Sequence, residues 1–202
     1  MLNCTVNYLA HAYLSFGIAD IAVGNMISDF VKGKKKFDYP EGIQRGIILH
    51  RNIDSFTDDS EATKKAKEIF RPAYRLYSGA LVDVAYDHFL ATDSKEFTTE
   101  SLFRFSQDVY AVMDKNIDHF PDRFAAMYPY MKTHNWLFGY HTKEGIERSF
   151  RGLVRRSVYM TESNTAFMLF QQYYEELRAC YDELIPAIKI FAKQRISELM
   201  AS

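Results

Sequence analysis

Two cysteines, five prolines and nine glycines are all that 202 residues contain of those types, and each scarcity removes a class of structure. Cys4 and Cys180 lie far apart, with no charged leader followed by an apolar stretch, so free thiols in a reducing cytoplasm are expected in place of a disulfide framework. So few prolines and glycines, and no alternating β-branched run bounded by turns, leave little that reads as a strand. A long hydrophobic run is missing too. The most apolar early window, Ile18 to Ile27, is short and holds Asp20 and Asn25, so no membrane span is predicted. Nor is there an excess of one charge. Lysine and arginine total 25 against 26 acids, which leaves −1 and no global attraction for nucleic acid or an acidic membrane. No Glu-x-x-His precedes any histidine, which argues against di-iron carboxylate bundles. The Gly-rich phosphate loop and the Gly-x-Ser-x-Gly elbow are absent, and neither thiol has an obvious partner base.

What is present reads as helix. With 48% hydrophobic and 25% charged residues, the chain fits one all-α domain over residues 1–202. A first helical region is expected from about Val6 to Phe16 and a second after Gly17, where Ile18, Ala22, Met26 and Asp29 share a face. The basic turn Lys32-Gly33-Lys34-Lys35-Lys36 follows. Pro40 then suits the first turn of a helix in which Ile43, Ile47, His50 and Asp54 recur at i, i+4, i+7 and i+11. Asp58 and Glu61 resemble a capping box for a helix ending near Phe70, with Pro72 just beyond it. Gly79 to Thr92 is an apolar helix with Asp87-His88 in its middle, and Leu102 to Asn116 is amphipathic. Pro121 and Pro129 bracket a shorter piece, Asn135 to Gly139 a short helix and turn. Phe167 to Phe191 shows heptad spacing that Pro186 is expected to kink or divide.

A carboxylate on an apolar face is costly to desolvate without a partner. Asp29 and Asp54 both lie on such faces, and with His11, His50, Asp87 and His88 they make an imidazole and carboxylate set from four predicted helices. Such a set suits Mn²⁺, Fe²⁺ or Zn²⁺, or Mg²⁺ with fewer imidazoles, and points to metal-activated water. Neighbours such as Asp87 and His88 point about 100° apart on a helix, so one of them could bind while the other orients it. Asp58 and Asp83 are weaker candidates, the first as a cap and the second as a solvent-side residue. Arg51 could neutralise a phosphate or simply pair with an acid.

Four blocks in order carry a resemblance: Asn7-Tyr8-Leu9-Ala10-His11, Gly24 to Gly33 (Gly-Asn-Met-Ile-Ser-Asp-Phe-Val-Lys-Gly), His50 to Asp58 (His-Arg-Asn-Ile-Asp-Ser-Phe-Thr-Asp), and Asp87-His88-Phe89-Leu90. Together they resemble the acyl carrier protein phosphodiesterases. The resemblance implies a helical fold related to the HD-domain metal phosphohydrolases. It also implies manganese-dependent removal of 4′-phosphopantetheine from a serine of holo-acyl carrier protein. His50, Asp29 and Asp87 are then expected as ligands with His11 at the edge, Asp54 and His88 as ligand or base, and Arg51 beside the phosphate. Carrier proteins of this kind are acidic around the modified serine, so Lys32, Lys34, Lys35 and Lys36 are the expected docking patch, with the helix bearing Arg148, Arg151, Arg155 and Arg156 as an alternative. A phosphohydrolase acting on nucleotides or other small phosphoesters and a non-catalytic helical binding protein are the rival readings.

Overall fold

α-Helices joined by short 3₁₀ turns make up the regular structure of residues 7–201, the part of the chain described by a computed structural model, and no strand occurs among them. α1 (Tyr8–Tyr13) and α2 (Ala19–Ile27) come first. The 3₁₀ turn Ser28–Phe30 carries Asp29, and a second, Gly33–Asp38, carries three of the lysines before α3 (Glu41–Asp59). α4 (Glu61–Tyr74), the turn Arg75–Tyr77 and α5 (Ser78–Thr92) follow. The second half holds α6 (Thr99–Asp114), α7 (Asp122–Thr133), α8 (Trp136–Gly139), α9 (Lys143–Arg156), α10 (Asn164–Gln172) and α11 (Tyr174–Ala201).

α5 is the axis of the core. Eleven of its fifteen residues are buried, as expected for a helix that is apolar on most of its circumference, and α1, α4, α9 and α11 pack around it. α2 and α3 form the other tight pair, for a reason visible in two glycines. A Cβ on Gly24 would lie 2.1 Å from the Ile43 carbonyl oxygen, and one on Gly46 would lie 2.4 Å from that of Ile21. The two helices therefore cross backbone against backbone, and this brings Asn25, next to Gly24, to His50, one turn beyond Gly46.

Several expected boundaries move. Pro72, Pro129 and Pro186 all lie inside helices, and all three are exposed. On the solvent side the carbonyl left without an N–H partner is hydrated, so these prolines do not end their helices. The break expected at Pro186 falls instead at Tyr173, between α10 and α11, where neither proline nor glycine marks it. Asp58 closes α3 rather than capping α4 and pairs with Lys67 at 2.6 Å, while Ser60 separates the two helices. Cys180 is a buried free thiol, as anticipated; Cys4 and Val6 lie outside the described residues. No helix of the described chain is long and apolar enough to cross a membrane.

Candidate metal centre

The centre is assembled around Asn25, a buried residue of α2. Its side-chain amide donates to the His11 carbonyl at 2.8 Å and to Ser15 Oγ at 3.1 Å, and a carbonyl can only accept. The amide orientation is thereby fixed, and Asn25 Oδ1 must accept from His11 Nδ1 at 2.7 Å. The backbone carbonyl of the same residue accepts from His50 Nδ1 at 2.8 Å. Both imidazoles thus have Nδ1–H committed to Asn25, and in their neutral forms both have a lone pair at Nε2. The rings stack, with centroids 3.9 Å apart and planes inclined by 17°.

Asp54 bridges the two Nε2 atoms: Oδ1 lies 3.2 Å from His11 and Oδ2 lies 3.2 Å from His50. Asp29 Oδ1 approaches His50 Nε2 from the adjoining 3₁₀ turn, also at 3.2 Å. His11 Nε2 is close to Asp54 but not aligned with it, and is a buried nitrogen without a hydrogen-bond partner. Burial alone would lower His50, yet the Asp54 and Asp29 carboxylates outweigh it and raise the ring to about 10. His11 goes the other way, lowered by burial and then by the charge of His50. Burial pushes Asp54 up, but the His50 charge holds it well below the usual carboxylate range. The positive charge of the pair thus belongs to His50, between the two carboxylates, and the stacked His11 ring is held toward its neutral form. Ligand atoms of His11, His50 and Asp54 lie within 4.8 Å of one another, and an unpartnered ring nitrogen beside a second one and a carboxylate is a donor set that fits a divalent transition metal.

Comparison with known proteins supplies the family. Residues 6–188 match the family described as acyl carrier protein phosphodiesterase. The chain belongs to that family. Curated relatives named acyl carrier protein phosphodiesterase include those of Enterobacter sp. (strain 638), 29% identical with 94% of this chain and 99% of the relative covered, and Yersinia pestis, 29% identical with 91% and 95% covered. That of Klebsiella pneumoniae (strain 342) is also 29% identical, over 94% of this chain and 99% of its own. No solved structure matches the chain.

In this member of the acyl carrier protein phosphodiesterase family, the six residues expected at one site divide. His11, His50 and Asp54 converge with Asp29 beside them, whereas Asp87 and His88 do not join them. The Asp87 carboxylate is fully buried and accepts from the backbone N–H groups of Leu9 at 3.1 Å and Ala10 at 2.8 Å. It caps α1 from another helix, because α1 has no side-chain cap of its own. Burial raises it well above the usual carboxylate range, with hydrogen bonds from Ala10, Leu9 and Tyr140 pulling down. His88 donates from Nδ1 to the Tyr140 carbonyl at 2.8 Å, so its Nε2 accepts from the Tyr174 hydroxyl at 2.9 Å. A ring satisfied at both nitrogens has no lone pair to offer, and burial lowers its pKa. Arg51 donates to the Val31 carbonyl at 2.7 Å, tying the segment after Asp29 to α3.

Beside the centre lies a cavity of about 590 Å³, and Asp54 forms part of its wall together with Asp58, Asp83, Lys67, Arg71 and Arg75. Asp83, expected on the solvent side, instead lines this cavity, where burial and then the Asp54 and Asp58 charges raise it well above the usual range. Lys32, Lys34, Lys35 and Lys36 line no part of it. Asn25 is the functional residue that reading the sequence for ligands passes over, because an amide beside a glycine carries no ligand signal.

Proposed function

We propose that the protein hydrolyses the phosphodiester joining 4′-phosphopantetheine to a serine of holo-acyl carrier protein, releasing the apo carrier. Membership of the family supports the substrate. The chemistry is supported above all by the buried, unpartnered Nε2 of His11 beside His50 Nε2 and Asp54. His11, His50 and Asp54 would hold one divalent ion, for which we favour Mn²⁺ because imidazole and carboxylate together suit it. A bound divalent ion supplies Lewis-acid charge that lowers the pKa of water and offsets charge on the phosphoryl oxygens.

The chain's own residues do the rest. Asn25 keeps both Nε2 atoms aimed at the site by holding both Nδ1–H groups. Asp29, 3.2 Å from His50, is placed to accept the proton that the attacking water gives up. The serine alkoxide needs a proton as it leaves, and Asp83 is a carboxyl on the cavity wall whose pKa burial raises well above the usual range, which favours its acid form. The same reading makes the helical frame a relative of the HD-domain metal phosphohydrolases acting as one unit over residues 1–202. The buried thiol of Cys180 suits a cytoplasmic setting.

The test is incubation of holo-acyl carrier protein with the enzyme and Mn²⁺, read as the mass lost from the carrier. Loss of one phosphopantetheine, abolished by chelation and by His50→Ala, is the expected result. An unchanged carrier mass, with turnover of nucleotides or small phosphoesters instead, would overturn the assignment of substrate.

A further inference from the structure

The cavity has a second wall whose chemistry the metal centre does not use. Lys67, Arg71 and Arg75 follow one another at i, i+4 and i+8 along α4 and past its end, and all three line the cavity. Lys67 is held by Asp58 and Arg71 by Glu68, each at 2.6 Å. Arg75 is exposed and pairs with no acid among the described residues. Its backbone is also unusual. It is a non-glycine residue at φ 46° and ψ −113°, a strained conformation that persists only where its surroundings enforce it.

That turn presents Leu76 outward. Leu76 lines the cavity and is nevertheless 91% exposed, so it stands at the open edge. A second segment is tied to the wall, because the backbone N–H of Val158 donates to the hydroxyl of Tyr77, itself a wall residue. Val158 and Tyr159 in that segment are 72% and 75% exposed. Arg155 and Arg156, exposed in the last turn of α9, lead directly into it. Leu76 at the open edge, and Val158 and Tyr159 in the segment tied to Tyr77, are thus displayed with arginines close by in the chain. Aromatic and aliphatic anchors next to arginine are the composition of a protein-binding surface.

We propose that the rim formed by Arg71, Arg75, Leu76, Val158 and Tyr159 is the face on which the substrate protein docks, with Arg75 as the residue that selects an anionic partner. This rests on the function proposed above, and the occupant is the carrier protein itself. A phosphodiester attached through a serine leaves only a short tether between the carrier surface and the phosphorus. The carrier must therefore sit at the edge of the cavity through which the phosphorus reaches Asp54. The unpaired guanidinium of Arg75 complements an acidic carrier surface and the phosphodiester anion alike. The lysine loop of residues 32–36 borders no part of this cavity and serves as the control.

Arg75→Gly is the sharpest variant, because glycine adopts φ near 46° without strain and removes the cation while the fold is kept. With holo carrier and Mn²⁺ it should raise KM about tenfold and flatten the rise of KM with salt, and Arg75→Lys should restore part of the loss. Leu76→Asp and Tyr159→Ala should also raise KM for the carrier, while their thermal melts and Mn²⁺ content stay as in wild type. Binding of apo carrier, followed by biolayer interferometry, needs no turnover and separates docking from catalysis. Binding that Arg75→Gly weakens tenfold without any cleavage upholds the docking face and overturns the hydrolase. Cleavage and binding indifferent to Arg75 and Leu76, or sensitive only to Lys34→Glu and Lys35→Glu, uphold the hydrolase and overturn the docking face. Absence of both carrier binding and carrier cleavage in the wild-type protein overturns both.

Discussion

Two sets of histidine and aspartate are buried in this molecule, and the difference between them separates a candidate metal site from a structural one. At His11, His50 and Asp54 both Nδ1 atoms are bound to the protein while the Nε2 atoms face only carboxylates. At Asp87 and His88 every polar atom of the ring and both oxygens of the carboxylate meet a protein partner. All three rings are buried and Asp87 is fully so, while Asp54 is 33% exposed. The difference lies in which one the protein leaves incomplete.

The strongest way to break this distinction is to remove one ring from each set. His11→Ala or His50→Ala should eliminate bound Mn²⁺ and reduce carrier cleavage by more than about 100-fold, beyond the usual effect of losing an outer partner. His88→Gln should leave metal content unchanged and cost about 1–3 kcal/mol of stability through the orphaned Tyr140 carbonyl. Metal analysis and thermal melts on the three variants decide the matter, and equal metal loss in His88→Gln would erase the distinction.

A smaller effect is expected one step out. Asn25→Ala frees both imidazoles to rotate and should weaken Mn²⁺ binding about 10–100-fold while leaving the ligands in place. Titration calorimetry would show it, and wild-type affinity would mean that the rings are held by their packing alone. Gly24→Ala tests the frame beneath. A methyl group 2.1 Å from the Ile43 carbonyl must push α3 off α2, costing about 1–3 kcal/mol, or roughly 2–12 °C in Tm, together with affinity for the metal. The same substitution at Gly139, where nothing lies within 4 Å, is the control for loss of glycine as such.

The smallest effect is one of pH. Burial depresses His88 below 6.5 in the folded state, so just beneath that value the unfolded chain binds more protons than the native one. The linked stability is therefore fully present above pH 6.5 and is lost as pH falls through the interval below it. His88→Gln should flatten that dependence by up to about 1.4 kcal/mol per pH unit, measured by urea unfolding between pH 7 and pH 5. A variant as steep as wild type would place the dependence on another group.

How much of this was legible in the sequence follows from what periodicity can and cannot encode. Ile43, Ile47, His50 and Asp54 share a face because helical spacing requires it, and the structure keeps them together on α3. The all-helical class followed in the same way from the scarcity of strand and turn signals. What spacing does not encode is which polar group meets which backbone group from another helix. Asp87 and His88 looked like ligands for the same reason as His50, and their partners Leu9, Ala10, Tyr140 and Tyr174 come from distant parts of the chain. The in-helix prolines mark no boundary in the sequence because their effect depends on whether they face solvent. Gly24 and Asn25 are neighbours in the sequence, yet nothing local says that the first admits a backbone and the second governs two rings.

The cap that Asp87 places on α1 makes the N-terminal helix a reporter of the centre. Six residues are too few to form a stable helix alone, so α1 depends on that distant carboxylate and on its own packing for its order. His11 projects from the same short helix, which means that an ion holding His11 also favours the state in which Leu9 and Ala10 are bonded to Asp87. By thermodynamic reciprocity the preference runs in both directions. Amide exchange at Leu9 and Ala10 should therefore slow on addition of Mn²⁺, whereas Asp87→Asn should lower metal affinity without touching a ligand. Exchange indifferent to the ion would mean that α1 is fully ordered without it. Ordering the first helix and capturing the ion would then be a single equilibrium observed from its two ends.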